Sequence, residues 1–434
     1  MSFELKETIR KRINHPNFLS ELVGMVAFNS NKIQEDFFEK ITNSALIFRK
    51  ILDEKNLIKK VNYNPKKFWN FDGKDAYAFV DGGVAQLKIS TAAPVGIRVG
   101  AYIVKPGNKT EERERFYNPY EMITDLYDTD GLNQWYEDNH GDFQKLSDGS
   151  RIILESASCN KIMLHEKDVK MCFLQGPLVQ TAAPYAGKFV DDLPILTEEK
   201  FFELLPNIDI SYAVTKDDRS LVGIYRHILN SIKEVQNLTF GIVERPSPRS
   251  PGLITENLLE GALKEKFNHS DATEWKDTMR LYNINDSNLF SLILDVGEYI
   301  SPIEINRQLP KQKWAQWCYD ILDRYPNCYY TYLKTSDHSL PLRIESMKVN
   351  EDYFFGIDFI LHQARLLPKY SFPVGLDIVD KYAKVPSYMS KNIGDTYKLL
   401  AYRHALQNND NEMYKKLNKM FMTDKRDFFK RPKS

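Results

Sequence analysis

The chain has 434 residues, and Lys plus Arg and Asp plus Glu each total 59, so the formal net charge is zero. That length is ample for a buried core, and the charge balance neither requires nor excludes a nucleic-acid partner; any basic surface must be local. Cys159, Cys172, Cys318 and Cys328 lack the paired spacing of a zinc site and the density of a disulfide framework, and no run approaches the roughly 18 apolar residues of a membrane span. With a charged start, MSFELKETIRKR, that lacks the apolar core of a signal peptide, these features lead us to expect a soluble, cytoplasmic protein with reduced thiols and no membrane partner.

From about Phe3 to Lys60 apolar residues recur at helical spacing, with Phe18, Leu19, Leu22 and Val23, then Phe37, Phe38 and Ile41, which predicts an N-terminal helical arm over residues 1–60. The composition changes at NYNPKKFWNFDG, after which Tyr77–Val80, Val84–Ile89 and Ile97–Val104 read as three successive strands of a meander. The next stretch, from Lys105 to Asp142, reads as a polar insert. Its Asp125, Asp128 and Asp130 invite a calcium-loop reading, but the Glu of the twelfth position is not matched, so a solvated loop is the expectation.

SDGSRIILESASCNKIMLHEKD then predicts a helix capped near Ser147 or Asp148, with Glu155 on its polar face. VKMCFLQGPLVQ has the short apolar run of a buried parallel strand ended by Gly-Pro, and ISYAVTKDDRSL predicts another strand ending at Lys216. ENLLEGALKEKF and NLFSLILDVGEY read as helical, CYYTYLKT and LPLRIESM as a hairpin, and FFGIDFILHQARLL and the segment from Leu376 onward as helical. Meander, helix, strand, helix, strand is the order of an RNase H-like α/β fold, a mixed sheet flanked by helices. The expected organisation is a helical arm over 1–60, a central domain over 61–390 and a helical extension over 391–434. From Asn411 to Ser434 that extension holds eight Lys/Arg against three Asp/Glu, interleaved with Tyr414, Phe421, Phe428 and Phe429.

Asp81-Gly82-Gly83, between two strand-like runs, has two readings. Asp-Gly between alternating apolar runs is a hairpin-turn signal. An acid at the end of a buried strand, followed by two residues without side chains, also lets a metal and a phosphate approach the backbone. Two-metal hydrolysis of a phosphodiester needs several acidic ligands from separate elements, and Asp81, Glu155 and a polar group at the end of CFLQGPL are candidates to converge at one sheet edge.

These segments, in this order, resemble the NurA nuclease family. AFVDGGVAQL resembles its first motif, Glu155 stands where its helical Glu lies, and CFLQGPL is similar to its DGPL motif with Gln175 in place of the acid. SYAVTKDDRS resembles the following strand that ends in Lys, LPLRIES the Arg-x-Glu strand, and YSFPVGLDIVDKYAKVP the late YPxxLxxAH helix, where Asp380 replaces the His. The likeness spans about Ala76 to Pro386. It implies a Mn²⁺- or Mg²⁺-dependent nuclease acting on DNA ends, homodimeric and docked on a HerA-type hexameric ATPase, in end processing or antiphage defence.

On that resemblance Asp81 and Glu155 are expected to be catalytic and metal-binding, with Gln175 and Asp380 completing the metal shell. Glutamine offers a carbonyl oxygen to a hard cation without its charge, which Asp380 would restore. Lys216 is placed to stabilise charge developing at phosphorus. Arg343 and Glu345 share a strand face, so Arg343 either binds phosphate or pairs with Glu345, and Tyr370 stacks on an unpaired base or joins the core. The competing reading of Gln175 is a catalytically weakened DNA clamp that caps the ATPase ring. No P-loop, G-x-S-x-G or H-E-x-x-H motif is present, and His165 and His362 read as packing or surface residues.

Overall fold

The computed structural model describes residues 20, 23–25, 42–86, 94–125, 143–179, 220–244, 254–255, 258, 284–305, 316–367, 370–385 and 387–423. The chain divides into two compact units, Met1–Lys59 with Pro248–Asp295, and Lys60–Ser247 with Val296–Ser434.

In the first unit the helix Asn43–Glu54 buries Ala45, Phe48 and Leu52, three positions on one helical face. The helix Asp286–Ile293 is capped by Asn285, which accepts from Asn288 N–H. Its buried Asp286 accepts from the Ile254 N–H at 2.8 Å and the Thr255 hydroxyl at 2.6 Å. The run NLFSLILDVGEY therefore is not one helix. Gly297, at φ +85°, follows the helical part, and the chain re-emerges as a strand in the second unit.

The strands of the second unit are β1 (Ala76–Gln86), β2 (Pro94–Val104), β3 (Glu114–Asp125), β4 (Val169–Gln175), β5 (Leu238–Val243), β6 (Glu298–Ile300), β7 (Ile303–Ile305), β8 (Cys328–Leu333) and β9 (Leu342–Ser346). Among the described residues its helices longer than one turn are α1 (Phe143–His165), α2 (Leu221–Glu234), α3 (Gln316–Leu322), α4 (Glu351–Ala364), α5 (Val374–Ala383), α6 (Ser387–Gln407) and α7 (Asn411–Thr423). They share one mixed sheet in the order β6-β8-β9-β5-β4-β1-β2-β3, with β7 beside β8. The three pairs from β1 through β4 to β5 and from β1 to β2 set its character: β4 runs parallel to both β1 and β5, while β1, β2 and β3 form an antiparallel meander. This is the expected RNase H-like arrangement.

Three local expectations change. Asp81-Gly82-Gly83 is not a turn, because Ala76–Gln86 pairs with β2 without a break and neither glycine takes the positive φ that a two-residue hairpin turn demands. The polar insert contains β3, whose charged residues suit an edge strand and whose inward backbone groups pair with β2. The helix expected to begin near Ser147 starts at Phe143, with Ser147 and Asp148 inside it. β5, LTFGIV, is buried at every position and so shows no alternation by which to recognise it. The expected strand ending at Lys216 and the segment ENLLEGALKEKF, apart from residue 258, lie outside the described residues.

One face of the sheet is a row of rings. Phe173 stacks between Phe79 and Phe240, at 5.3 and 5.5 Å, and Phe359 of α4 lies on it at 5.3 Å. Such a core is worth the usual area term plus offset-stacking contacts. α5 closes over the same face through Leu376 and Val379, and α1, packed on α2, covers the opposite face.

Candidate active site

Alternation along β1 puts Asp81 on the face that carries Tyr77 and Phe79, two residues on from each other. Pairing between β1 and β4 ends at Val80 and Leu174, so the next residues, Asp81 and Gln175, stand where the two strands part. In open α/β sheets this carboxyl-end crevice is where ligands bind.

Glycines bring other elements down onto that point. A Cβ on Gly82 would stand 2.5 Å from Glu155 Oε1 and 3.1 Å from Arg151 Cγ, so α1 lays its carboxyl and the arginine stem directly on the bare backbone. A Cβ on Gly83 would meet the Ala383 carbonyl at 2.5 Å, and one on Gly100, the register partner of Asp81, would meet Tyr382 Cδ1 at 2.8 Å. The C-terminal turn of α5 therefore rests beside Asp81, which brings Asp380 into its electrostatic range.

Both acids are buried, Asp81 at 6 % exposure and Glu155 at 1 %. Burial, then the neighbouring Glu155 and Asp380 charges, push the Asp81 carboxyl up to about 8, partly offset by the Gly82 N–H and Arg151. Burial likewise pushes Glu155 up to about 7, against the pull of Arg151 and the Gly82 N–H. Arg151 Nη1 donates to Glu155 Oε1 at 2.5 Å across one helical turn. The site is thus short of positive charge: two carboxyls resist ionising together with one guanidinium between them.

The remaining candidates divide. Gln175 Oε1 is buried and has no hydrogen-bond partner among the described residues, a neutral hard oxygen beside Asp81. Asp380 is half-buried on α5. Tyr370 packs at the edge of the ring-lined core, and its phenol, hydrogen-bonded to Asp377, is pushed up to about 12 by burial and by that carboxylate. Arg343 is engaged with Glu345: its Nε and Nη2 each donate to Glu345 Oε1 at 2.9 Å, and it lies over the Tyr330 ring. Lys216 lies outside the described residues.

Glu345 has a second task, invisible in the sequence. Its Oε2 accepts from the backbone N–H of Leu178 at 2.9 Å and of Val179 at 3.4 Å, holding the loop that follows Gln175. The Tyr225 hydroxyl donates to the Leu178 carbonyl at 3.0 Å, and a Cβ on Gly241 would strike Leu178 N at 2.5 Å, so the loop is clamped from three sides. Arg151 also escaped the sequence reading, although its signal was there, four residues before Glu155 and hence on the same helical face.

Among the described residues no three His, Cys, Asp or Glu side chains converge closely enough to hold a metal ion. Asp81 and Gln175 stand side by side at the parting strands and Glu155 comes near enough for its charge to act on Asp81; all three offer hard oxygens, which suit a divalent cation of the magnesium or manganese kind.

An RNase H-like α/β fold with buried carboxyls at the parting of its central parallel strands defines the class of this protein. Residues 75–385, well over half of the chain, match the family model described as the NurA domain, within one residue at each end of the stretch whose motifs resemble that family. The chain belongs to the NurA nuclease family. Among solved structures it is similar to the NurA nuclease from Sulfolobus solfataricus, at 12% identity and a TM-score of 0.49, over 90% of this chain and 98% of that one. It is also similar to a NurA crystal structure bound to dAMP and manganese, at 13% identity and a TM-score of 0.41, over 89% and 94% of the two chains. Comparison with curated proteins gave no match. Among the described residues no helix is long and apolar enough to cross a membrane.

Proposed function

We propose that this protein is a divalent-metal-dependent DNA nuclease whose reaction centre is built on Asp81 and Glu155. The observation that carries the reading is the pair itself: two acids from different elements, both nearly inaccessible to solvent, with Glu155 seated on the bare Gly82 backbone next to Asp81 and both pushed by burial above the ordinary carboxylate range. Burying such groups is costly unless a cation compensates. Asp81, Glu155 and the Gln175 carbonyl would hold Mn²⁺ or Mg²⁺, with Asp380 adding negative charge from α5. When bound, such an ion activates water and polarises a phosphoryl oxygen.

The chain's own residues orient and exclude. The bare backbone at Gly82, Gly83 and Gly100 lets Glu155 with the Arg151 stem, the Ala383 carbonyl and the Tyr382 ring close directly onto the strands around Asp81, which excludes water, and the clamped loop after Gln175 keeps that side chain at the strand end. Lys216 at phosphorus and Tyr370 against an unpaired base are part of the proposal on motif resemblance. So are a homodimer, a HerA-type hexameric ATPase as partner and a role in end processing or antiphage defence, which family membership supports.

One observation favours a second reading. No third acid joins Asp81 and Glu155 closely enough to hold a metal among the described residues, and Gln175 stands where an acid would. A weakened clamp that binds DNA and caps the ATPase ring has that composition. Cleavage of linear DNA by the purified protein with Mn²⁺ or Mg²⁺, with and without the ATPase, decides between them. The nuclease reading expects metal-dependent products that Asp81→Asn abolishes while the variant stays folded; silence with both metals in both settings leaves the clamp.

A further inference from the structure

Among the described residues two Arg–Glu pairs in this domain involve a buried carboxyl, and they are built differently. Arg343 is shut away, with a side chain 13 % exposed, and two of its nitrogens grip one oxygen of Glu345 while the other oxygen holds two loop amides. Both oxygens of Glu345 are taken and Arg343 is held through two of its nitrogens, as befits a structural pair. Arg151 makes a single end-on contact, Nη1 to Glu155 Oε1, and among the described residues no other acceptor bonds its guanidinium. Its side chain is 28 % exposed, while Glu155 beneath it is 2 % exposed. A guanidinium carries five N–H donors in a planar fork that matches phosphate, so most of the binding capacity of Arg151 is unused.

Position adds to the argument. The Arg151 stem lies over Gly82, next to the carboxyl that a divalent cation would need, and its charge is the one that Asp81, Glu155 and Asp148 all feel. A cation arriving at Glu155 meets a competitor already bonded to its oxygen. Once displaced, that competitor stands at the rim of the same crevice with a full set of donors.

We propose that Arg151 exchanges partners: it neutralises Glu155 in the metal-free protein, yields it when a divalent cation binds, and then hydrogen-bonds the phosphate backbone of the nucleic acid. This rests on the metal-dependent reading above. The exchange makes nucleic-acid binding conditional on metal, because the phosphate contact is withheld until Glu155 is taken over.

The test uses the full-length wild type, Arg151→Gln and Arg151→Lys, each checked for folding by circular dichroism. Mn²⁺ binding is read from the electron paramagnetic resonance signal of free Mn²⁺ without DNA. Binding of a phosphorothioate oligonucleotide is read by fluorescence anisotropy with and without Mn²⁺. Arg151→Gln is expected to bind Mn²⁺ several-fold tighter, since a competing positive charge is gone, and to lose about tenfold of the metal-induced gain in oligonucleotide affinity, the scale of one charged hydrogen bond. Arg151→Lys keeps the charge without the fork and is expected to fall between the two. Unchanged or weaker Mn²⁺ binding by Arg151→Gln overturns the exchange, as does an undiminished metal-induced gain. A wild type that binds no Mn²⁺ removes both this inference and the metal-dependent reading, whereas a wild type that binds it with Arg151→Gln unchanged removes this inference alone.

Discussion

Glu155 Oε1 lies 2.5 Å from the point where a Cβ on Gly82 would stand, and Glu155 Cγ lies 2.9 Å from it. The carboxyl reaches the strand because position 82 has no side chain, and the contact involves the stem of Glu155 as well as its tip.

Gly82→Ala is therefore expected to push Glu155 off the backbone and abolish metal-dependent cleavage. The cost in stability should stay within about 1–3 kcal/mol, the range for overpacking a well-filled site. Cleavage assays beside urea unfolding check this. A variant with wild-type cleavage would show that the close approach has no functional role.

The raised Asp81 and Glu155 carboxyls make the metal-free protein pH-sensitive. Asp81 moves from an ordinary 3.8 to about 8 and Glu155 from 4.5 to about 7. The folded state thus holds protons that the unfolded chain releases, and the contribution to stability is complete below about pH 4 and lost as pH rises through 8. Asp81→Asn removes the larger part of that loss. It is expected to stabilise the metal-free protein at pH 8.5 by on the order of 1–3 kcal/mol relative to its effect at pH 5.5. Urea unfolding at the two pH values in the presence of a chelator measures it, and parallel pH profiles for wild type and variant would contradict the assignment.

Glu345 ties Arg343 to the loop after β4, with its carboxyl at 0 % side-chain exposure. Glu345→Ala leaves a buried guanidinium and two loop amides without their acceptor, and is expected to cost about 3–5 kcal/mol. Arg343→Ala in the same background should cost much less than it does alone, since its partner is already gone. Additive losses in a double-mutant cycle would mean that the two residues act independently.

The loop offers a second handle. A Cβ on Gly241 would lie 2.5 Å from Leu178 N and 2.8 Å from the Gly176 carbonyl, backbone atoms that cannot swing aside as a side-chain tip does. Gly241→Ala is expected to displace the segment next to Gln175 and weaken Mn²⁺ binding. Gly96→Ala, whose Cβ would meet only Ala85 Cβ at an ordinary 3.7 Å, is the matched control and should change stability by less than about 0.5 kcal/mol. Calorimetric titration with Mn²⁺ compares the two, and equal affinities would separate the loop from the metal site.

Much of the fold is legible along the chain because its signals are local. The apolar run VKMCFLQ, ended by Gly-Pro, is a parallel strand, and CYYTYLKT with LPLRIESM is an antiparallel pair. β5 and β3 escaped for opposite reasons. LTFGIV is buried on both faces and shows no period, while ERFYNPYEMITD looks like a solvated segment until β2 supplies its hydrogen bonds.

The amino-acid order alone determined the family and the RNase H-like succession of elements, and it singled out Asp81 and Glu155 as candidates, since each is carried by a short motif and by the spacing between motifs. Only the tertiary structure decided that Asp81-Gly82-Gly83 is uninterrupted strand, that Arg151 is bonded to Glu155, and that Arg343 is bound to Glu345 rather than turned to a ligand. These are matters of which side chain fills the space another leaves empty. Arg151 and Arg343 lie only four and two positions from their partners, so the sequence permits each pairing without fixing it, and the burial that holds the pairs and shifts their charges exists only once the sheet and its covering helices have closed around them.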